Sequence, residues 1–311
     1  MAPADLPEAR IHASCDTPCM TARIIDGAAI AAEVRAEVAV KVAAHTAAGR
    51  PQPHLTVVLV GDDPASATYV RAKGAACTEA GISSETIAVP TGITQTDLLA
   101  VVARLNADPK VSGILVQSPI LGGIDEAAIM SAIDPRKDVD GLTPASLGRL
   151  VQGEPLLVPC TPAGVQQMLL RSGYDPAGAR VVVVGRSMLV GRPLGILLGL
   201  KAPGGNATVT LAHTATRDLA SVTREAEILI VAAGRPKTIT ADMVRPGAVV
   251  IDVGTNRVDA PERKSGWRLA GDVDFGPVSE VAAAISPVPG GVGPMTIAML
   301  LANTARAAAS T

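Results

Sequence analysis

Short apolar runs rich in β-branched residues alternate along the whole chain with longer segments of helical spacing. In the first half this pattern predicts strands at 54–61, 86–89 and 111–119, and helices at 27–48, at 64–80 and over the segment that follows Thr94 and Thr96. Either threonine can cap its helix, and Gly81 suits the end of the helix before it. The strand–helix–strand–helix–strand order predicts a parallel sheet with helices on its faces.

The second half carries a separate set of buried strands. Apolar runs predict strands at 180–185, 207–212, 228–234 and 248–254, with helix-sized segments between them. This pattern is typical of a doubly wound nucleotide-binding domain. We therefore predict an α/β protein of two domains, an N-terminal parallel-sheet catalytic domain and a Rossmann-like dinucleotide-binding domain, with a cleft between them.

The segments between the two sets of strands suggest the domain bounds. The proline-rich stretch 134–162 is predicted to be a loop at the junction, and a helix at 162–173 opens the second unit. The loop 287–296 has too many prolines and glycines for regular structure and is expected to cover the cleft. A final helix at 295–309 is expected to pack back on the first domain. The resulting division is 1–19 as a disordered extension, 20–150 with 290–311 as the catalytic domain, and 151–289 as the dinucleotide-binding domain.

Composition excludes several classes of function. The 311 residues are enough for two domains, the net charge is −2, and aromatic residues make up 1% of the chain, so binding to nucleic acid is not expected. No apolar run reaches the length of about 18 residues that a membrane-spanning helix needs. The first 19 residues lack the basic start and apolar stretch of a secretory signal. A cytoplasmic protein is therefore expected.

The four cysteines do not predict a metal site or a disulfide framework. Cys15 and Cys19 lie in the predicted extension, and no second ligand pair follows them. Cys77 and Cys160 are expected to be small buried residues. Reduced cysteines fit a cytoplasmic protein.

A glycine-containing turn between a strand and a helix is the strongest local signal for phosphate binding. The strand ends at Gly185, Gly191 follows, and Pro193 can occupy the first turn of the next helix. A helix N-terminus offers free N–H groups to a pyrophosphate. The spacing is not G-x-G-x-x-G, so a tight turn that binds nothing is the alternative. The next strand ends at His213 and Thr214 without an acid, which permits NADP as well as NAD.

Five polar residues outside the nucleotide-binding strands are candidates for chemistry. Tyr69 and Lys73 share a helix face, Gln117 follows a strand, and Asp138 and Asp140 lie in the segment KDVDG. A lysine near a buried amide and an apolar wall can have a lowered pKa and carry protons.

Each candidate also has a simpler interpretation. Lys73 could be an ordinary solvated lysine, and one of the two aspartates could pair with Arg136 or Lys137. A tyrosine and a lysine at this spacing also occur in short-chain dehydrogenases. In those enzymes the dinucleotide loop precedes the pair, whereas here it follows, so that interpretation is not favoured.

Several long motifs occur together in one order: PASATYVRAKGAACTEAGI, GILVQSPI, PRKDVDGLTPASLGRLVQG, PCTPAGV, VVVVGRSMLVGRPLGILL, AVVIDVGTNRV, GDVDF and PVPGGVGPMTIAMLLANT. From about Met20 to the end, the chain resembles the bifunctional methylenetetrahydrofolate dehydrogenase/methenyltetrahydrofolate cyclohydrolase family. The resemblance implies oxidation of 5,10-methylenetetrahydrofolate with NADP+ and hydrolysis of the methenyl product to 10-formyltetrahydrofolate. It also implies a homodimer formed through the nucleotide domains, and a reaction without a metal.

The resemblance also implies roles for individual residues. Lys73 would be the central catalytic residue for proton transfer, Gln117 would contact it, and Tyr69 would line the folate pocket. Asp140 would accept hydrogen bonds from the pterin. The folate pocket would be walled by Gly293 and Pro294. The cofactor side would comprise Gly185, Arg186, Ser187, Gly191, Thr214, Thr255 and Thr296.

The chain departs from the family pattern at a few positions. Ser118 replaces the usual leucine after Gln117, and Ala215 stands where a basic residue is common. Ala215 cannot provide charge for a 2′-phosphate, although Arg186 can pair with one. Two alternatives stay open at this point: a monofunctional methylenetetrahydrofolate dehydrogenase, and a catalytically dead nucleotide-binding regulator.

Overall fold

The structure, a computed structural model, describes residues 22–61, 64–120, 122–263 and 266–310. The extension predicted at 1–19, with Cys15 and Cys19, lies outside the described residues. In chain order the first half contains β1 (Arg23–Ile24), α1 (Gly27–Ala47), β2 (His54–Val60), α2 (Pro64–Glu79), β3 (Ser83–Val89), α3 (Gln95–Ala107), β4 (Gly113–Val116), α4 (Glu126–Ser131), α5 (Pro144–Val151) and α6 (Cys160–Arg171).

The second half continues with β5 (Arg180–Val184), α7 (Gly191–Gly199), β6 (Thr208–Ala212), α8 (Leu219–Thr223), β7 (Ile228–Val231), β8 (Val249–Asp252), β9 (Asn256–Asp259), β10 (Trp267–Ala270), α9 (Phe275–Ser279), β11 (Ala284–Ile285) and α10 (Val292–Ser310). No helix in this described part of the chain combines the length and apolar character needed to cross a bilayer.

Two parallel sheets organise the described residues. The first has the order β3-β2-β4, with β2 at its centre and almost wholly buried. The second has the order β1-β11-β8-β7-β5-β6, and every pairing in it is parallel. Strands β7 and β8 are buried along their whole length, as expected for a parallel sheet covered by helices on both faces. The predicted fold class, two α/β domains built on parallel sheets, is confirmed.

Helix α10 joins the two halves of the molecule. It packs against α1 and α6 and also contacts α2, β2 and β4. Its buried side chains include Met295 and Leu301, which belong to one apolar cluster together with residues of both sheets. Gly164 of α6 permits this close approach, because a Cβ atom there would lie 3.0 Å from the Cβ of Met295. The last helix therefore places its first turn beside residues of both halves.

Most local predictions match the structure. Each strand predicted from the apolar pattern forms, with ends that differ by a few residues. Thr94, not Thr96, caps α3, since its side chain accepts a hydrogen bond from the N–H of Asp97. Gly81 follows α2 with a φ of 73°, the left-handed conformation that favours glycine.

Two segments predicted as loops contain helices. Within 134–162, Thr143 caps α5 and Pro144 occupies its first turn. Proline is tolerated there because the N–H groups of the first turn have no acceptor within the helix. Within 287–296, α10 already begins at Val292, and Pro294 is tolerated in its first turn for the same reason. The Pro and Gly content of both segments marked helix starts rather than irregular structure.

The first described strand also differs from the predicted domain division. β1 pairs with β11 at the edge of the six-stranded sheet, although the sequence assigned residues 20–150 to the other domain. A strand of two residues has no periodicity that a sequence pattern could reveal. The exact bounds of the two domains stay predictions.

Candidate active site

A buried lysine lies at the centre of the candidate site. Lys73 is only 5% exposed, and its Nζ donates a hydrogen bond of 2.9 Å to Oε1 of Gln117. Gln117 follows β4, and its own Nε2 donates to the carbonyl oxygen of Ser118 at 2.7 Å. This second bond fixes the amide so that its oxygen is turned toward Lys73. The contact predicted between Lys73 and Gln117 is therefore present, and the interpretation of Lys73 as a solvated lysine is wrong.

Tyr69 lies one helical turn before Lys73 on α2. The Lys73 Nζ atom is 4.7 Å from the centroid of the Tyr69 ring, within the range of a cation–π contact. Tyr69 keeps 36% of its surface exposed, so the ring forms part of the outer wall of the site. Burial, and then the negative charge of Asp140, raise the pKa of its phenol to about 12. Tyr69 therefore stays a neutral phenol at physiological pH.

Lys73 and Asp140 each counteract the effect of burial on the pKa of the other. Burial lowers the pKa of Lys73, and the carboxylate of Asp140 partly counteracts this shift. Burial raises the pKa of Asp140, and Lys73 counteracts that shift in turn. The ammonium form of Lys73 is thus less favoured than that of a lysine in water. A lysine in this environment can exchange a proton at a pH closer to neutral.

Asp138 folds the loop that carries Asp140. Its buried carboxylate accepts hydrogen bonds from the N–H groups of Gly141, Leu142 and Thr143, at 3.0, 3.2 and 2.7 Å. An acceptor of three backbone donors is a structural anchor. Asp138 therefore shapes the turn, and Asp140 is the carboxylate that interacts with Lys73.

The predicted ion pairs in this loop are wrong. Arg136 pairs with Asp134, with 2.6 Å between Nη2 and Oδ2, and not with Asp138 or Asp140. Lys137 is buried, and its Nζ donates to the backbone carbonyl oxygens of Leu105, Asn106 and Asp108 at 3.1, 2.8 and 2.6 Å. Sequence proximity suggested these pairs, but Arg136 and Lys137 each have other partners, and Asp138 accepts from the backbone.

Two residues that the sequence did not predict hold this loop against the helices. Asn303 of α10 donates from Nδ2 to the carbonyl oxygens of Val139 and Val158, at 2.9 and 2.8 Å. The thiol of Cys160, at the start of α6, also donates to the carbonyl oxygen of Val139 at 3.2 Å. Burial, together with Asp140, raises the pKa of Cys160 well above its usual value, so it remains a thiol. Cys160 is buried, as predicted, and the sequence signal for Asn303 was a polar side chain within a largely apolar helix.

The glycine turn forms the tight connection between strand and helix that the sequence predicts. Gly185 has a φ of 128°, and a Cβ atom on it would collide with the carbonyl oxygen of Ala232. Gly191 begins α7, and a Cβ atom there would collide with the carbonyl oxygen of Gly185. Pro193 lies in the first turn of α7, as predicted. Both glycines are therefore needed for the chain to turn this tightly between strand and helix.

The predicted cofactor residues mostly share one edge of the six-stranded sheet. Arg186 and Ser187 follow β5, Thr214 follows β6 and Thr255 follows β8, and all four are exposed. The N–H of Gly185 donates to the carbonyl oxygen of Ala212 at 2.8 Å, so the loops after β5 and β6 start side by side. We call the carboxyl ends of β5, β6, β7 and β8 the dinucleotide edge, since ligands of doubly wound sheets bind there.

The first turn of α10 contacts the start of α6 through two threonines. Thr296 Oγ1 is 3.0 Å from Thr161 Oγ1 on α6, directly after Cys160. Gly293 precedes it on the same turn, and a Cβ atom there would meet nothing within 4 Å. Gly293 therefore borders open space, although sterics alone do not require a glycine there. Among the described residues, no group of three or more His, Cys, Asp or Glu side chains is arranged to hold a metal ion.

A doubly wound domain with a glycine turn, joined to a second α/β domain that holds a desolvated lysine, defines a nucleotide-dependent enzyme of two α/β domains. Residues 25–140 match the model of the tetrahydrofolate dehydrogenase/cyclohydrolase catalytic domain. Residues 159–311 match the model of the NAD(P)-binding domain of the same family. The chain belongs to the tetrahydrofolate dehydrogenase/cyclohydrolase family.

Curated proteins and solved structures agree with this assignment. The bifunctional protein FolD of Rhodopirellula baltica is 54% identical over 300 residues, covering 93% of this chain and 98% of the relative. The crystal structure of the bifunctional enzyme FolD from Campylobacter jejuni has a TM-score of 0.86 and 44% identity, covering 92% of this chain and 98% of the other. The Trypanosoma brucei FolD structure, complexed with NADP cofactor and inhibitor, has a TM-score of 0.87 and 39% identity, covering 93% and 98%.

Proposed function

We propose that this enzyme oxidises 5,10-methylenetetrahydrofolate with NADP+ and then hydrolyses the 5,10-methenyl product to 10-formyltetrahydrofolate. The observation that carries the proposal is the hydrogen bond between Lys73 and Gln117, which holds a desolvated lysine in a fixed position. The same chain also has a dinucleotide edge, so it combines a proton carrier with a site for the hydride acceptor. Hydrolysis of a methenyl cation needs a group that moves protons, whereas hydride transfer alone does not. The intact lysine favours a bifunctional enzyme over a monofunctional dehydrogenase.

Lys73 is the proposed proton carrier in the hydrolysis. In its neutral form, the amine accepts a proton from the water that attacks the methenyl carbon. The resulting ammonium can return that proton to N5 of the folate as the bond between N5 and the former methenyl carbon breaks. The proton of the added hydroxyl leaves to solvent as the formyl group forms, so the net reaction releases one proton. Burial supports this role because it lowers the pKa of Lys73 and so maintains a supply of neutral amine. Gln117 keeps the amine in place through its fixed Oε1 atom.

Asp140 is the proposed anchor of the pterin. A carboxylate that accepts two hydrogen bonds suits the amino and ring N–H groups of a pterin. Asp138 supports this role because it holds the turn in which Asp140 lies. Tyr69 would form one wall of the folate pocket, and Gly293 with Pro294 would form another.

The dinucleotide edge is the proposed NADP site. NADP+ supplies the hydride acceptor when it is bound. Gly185 and Gly191 leave room for the pyrophosphate at the start of α7, where free N–H groups favour an anion. Arg186 and Ser187 would contact the phosphates, and Thr214 would contact the 2′-phosphate. Thr255 and Thr296 would lie toward the nicotinamide.

We also propose a homodimer that forms through the dinucleotide-binding domains. In the described chain, β6 is an edge strand of the six-stranded sheet, and Leu211 on it is 41% exposed. An edge strand with an exposed apolar side chain is suited to pairing with a second copy. Light scattering should give the mass of a dimer for the wild type and that of a monomer for Leu211→Lys. A monomeric wild type would contradict the proposal.

An absorbance assay tests the proposed function directly. Purified enzyme is mixed with methylenetetrahydrofolate and either NADP+ or NAD+, and reduced cofactor and methenyl product are followed together. Reduced cofactor with NADP+, without lasting methenyl product, is the expected result. Persistent methenyl product would leave a dehydrogenase alone, and no reduction would indicate a dead nucleotide-binding protein. Faster reaction with NAD+ would contradict the roles of Arg186 and Thr214.

A further inference from the structure

A fully buried carboxylate lies behind the dinucleotide edge. Asp272 is 0% exposed and follows β10 in the segment GDVDF. Its Oδ2 atom accepts hydrogen bonds from the N–H groups of Ala233 and Gly234, at 2.6 and 2.8 Å. These two residues form the turn that leaves β7. One carboxylate oxygen therefore fixes the turn at the end of one strand.

The second oxygen of the same carboxylate fixes the neighbouring loop. Oδ1 of Asp272 accepts a hydrogen bond of 2.7 Å from Nδ2 of Asn256, which follows Thr255. Gly254 packs directly on this carboxylate, because a Cβ atom on Gly254 would collide with Asp272 Oδ1. The loop that carries Thr255 is thus tied to the same side chain as the turn after β7.

The turn after β7 is also in contact with the glycine turn after β5. Ala232, next to Ala233, donates its N–H to the carbonyl oxygen of Val184 at 2.7 Å. Its own carbonyl oxygen occupies the space where a side chain on Gly185 would lie. A shift of the β7 turn would therefore move the wall against which Gly185 is packed.

A second aspartate holds Asp272 itself. Oδ1 of Asp252 accepts a hydrogen bond of 2.9 Å from the N–H of Asp272, and Oδ2 accepts one of 3.0 Å from the N–H of Val273. Asp252 is the last residue of β8 and is 2% exposed. The backbone of Asp272 is therefore fixed to the sheet, and its carboxylate is directed at the two loops.

We infer that Asp272 is a positioning residue for the NADP site: its carboxylate ties the turn after β7 to the loop of Thr255 and so sets the shape of the dinucleotide edge. This inference rests on the proposed function. Asp272 acts through Ala233, Gly234 and Asn256 and does not itself reach the cofactor. Since the lysine site lies on α2 and β4, its hydrolytic reaction does not depend on this tie.

The variant Asp272→Asn disrupts the tie with little change in volume. An amide has one oxygen, so its NH2 group must face either the two backbone N–H groups or the NH2 group of Asn256. The double variant Asp272→Asn/Asn256→Asp restores the pairing between residues 272 and 256, because the new amide can accept from the backbone and donate to the new carboxylate. It loses only the longer bond, 3.3 Å, that Asn256 Nδ2 donates to the carbonyl oxygen of Ala270. Asn256→Ala removes the side-chain donor to Asp272 Oδ1, together with its bond to the carbonyl oxygen of Ala270, and leaves the bonds to Ala233 and Gly234 in place. It serves as a milder variant, should Asp272→Asn fail to fold.

Steady-state kinetics of both reactions test the inference. Asp272→Asn should raise the KM for NADP+ by about tenfold or more, as expected for disrupted hydrogen bonds to a charged group, while hydrolysis of methenyltetrahydrofolate without NADP+ stays within about twofold. The double variant should reverse part of this rise in KM, and Asn256→Ala should give an intermediate rise. Equal loss of both reactions, an unchanged KM or a double variant without recovery would overturn the inference. Wild-type enzyme without dehydrogenase activity would instead contradict the proposed function.

Discussion

Lys73 Nζ and Gln117 Oε1 lie 2.9 Å apart, although 44 positions separate the two residues in the chain. The lysine comes from helix α2, and the glutamine follows the end of strand β4. This bond joins a buried amine to an amide that Ser118 has already oriented. The chemistry proposed for the enzyme depends on this pair, so the first prediction changes it.

Gln117→Glu should move the pH dependence of the hydrolysis. A carboxylate beside Lys73 stabilises the ammonium form and raises the pKa of the lysine, which burial has lowered. Hydrolysis by the neutral amine increases as pH rises through that pKa, so the rising limb should shift to higher pH. The rate of methenyltetrahydrofolate hydrolysis, corrected for the uncatalysed reaction, measures this shift. A limb at the wild-type position would show that Gln117 does not influence the proton carrier.

Asp140→Ala should weaken folate binding far more than NADP+ binding. Removing a charged acceptor from two pterin donors is expected to weaken binding by about tenfold to a hundredfold. Calorimetric titration with tetrahydrofolate and, separately, with NADP+ gives the two affinities. Asp134→Ala is a matched control, because that carboxylate in the same segment pairs with Arg136 and lies outside the lysine site. Equal losses for both ligands would point to a damaged fold instead of a lost anchor.

Gly191→Ala should impair the dehydrogenase and leave the hydrolysis intact. The added Cβ atom would collide with the carbonyl oxygen of Gly185, and relieving a backbone collision costs about 1–3 kcal/mol, enough to weaken NADP+ binding about tenfold. Gly199→Ala on the same helix is the control, because its Cβ atom would meet nothing within 4 Å. The KM for NADP+ should rise in the first variant only. Similar values in both variants would exclude a close approach of the cofactor to this turn.

Asp252 should titrate near neutral pH in the folded protein. Burial raises the pKa of its carboxyl from 3.8 to about 6, although three backbone N–H groups oppose the shift. The folded state therefore binds the proton more tightly than the unfolded chain. As pH falls from 7 through 6 toward 3.8, this group adds up to about 3 kcal/mol to the free energy of unfolding. Carbon NMR of the carboxyl, assigned with Asp252→Asn, should show a midpoint near 6, and a midpoint below 4 would contradict the shift.

The sequence was informative where one element carries its own signal. Apolar runs located the buried strands, and the glycine turn after β5 was visible because its residues are consecutive. Helical spacing placed Tyr69 beside Lys73, and the position of Gln117 at a strand end suggested a site. The resemblance to a family then proposed roles that neither periodicity nor spacing could provide.

The sequence was uninformative where the partner lies far away or on the backbone. Asn303 binds the carbonyl oxygen of Val139 across 164 positions, and no local pattern predicts such a contact. The carboxylate of Asp138 accepts backbone N–H groups, and Lys137 donates to backbone carbonyl oxygens, so neither needs the charged neighbour that the sequence offers. The ties at Asp272 depend likewise on loops that meet only in the folded sheet.

Lys73→Met tests the central claim most directly, because methionine keeps the apolar contacts of a buried lysine and removes its proton-carrying amine. Lys137→Met is the control for losing a buried lysine outside the site. With methylenetetrahydrofolate and NADP+, Lys73→Met should still form reduced cofactor, while methenyl product accumulates because hydrolysis falls by about a hundredfold or more. The control should hydrolyse at nearly the wild-type rate below its melting temperature. Hydrolysis at the wild-type rate in folded Lys73→Met would contradict the role of Lys73.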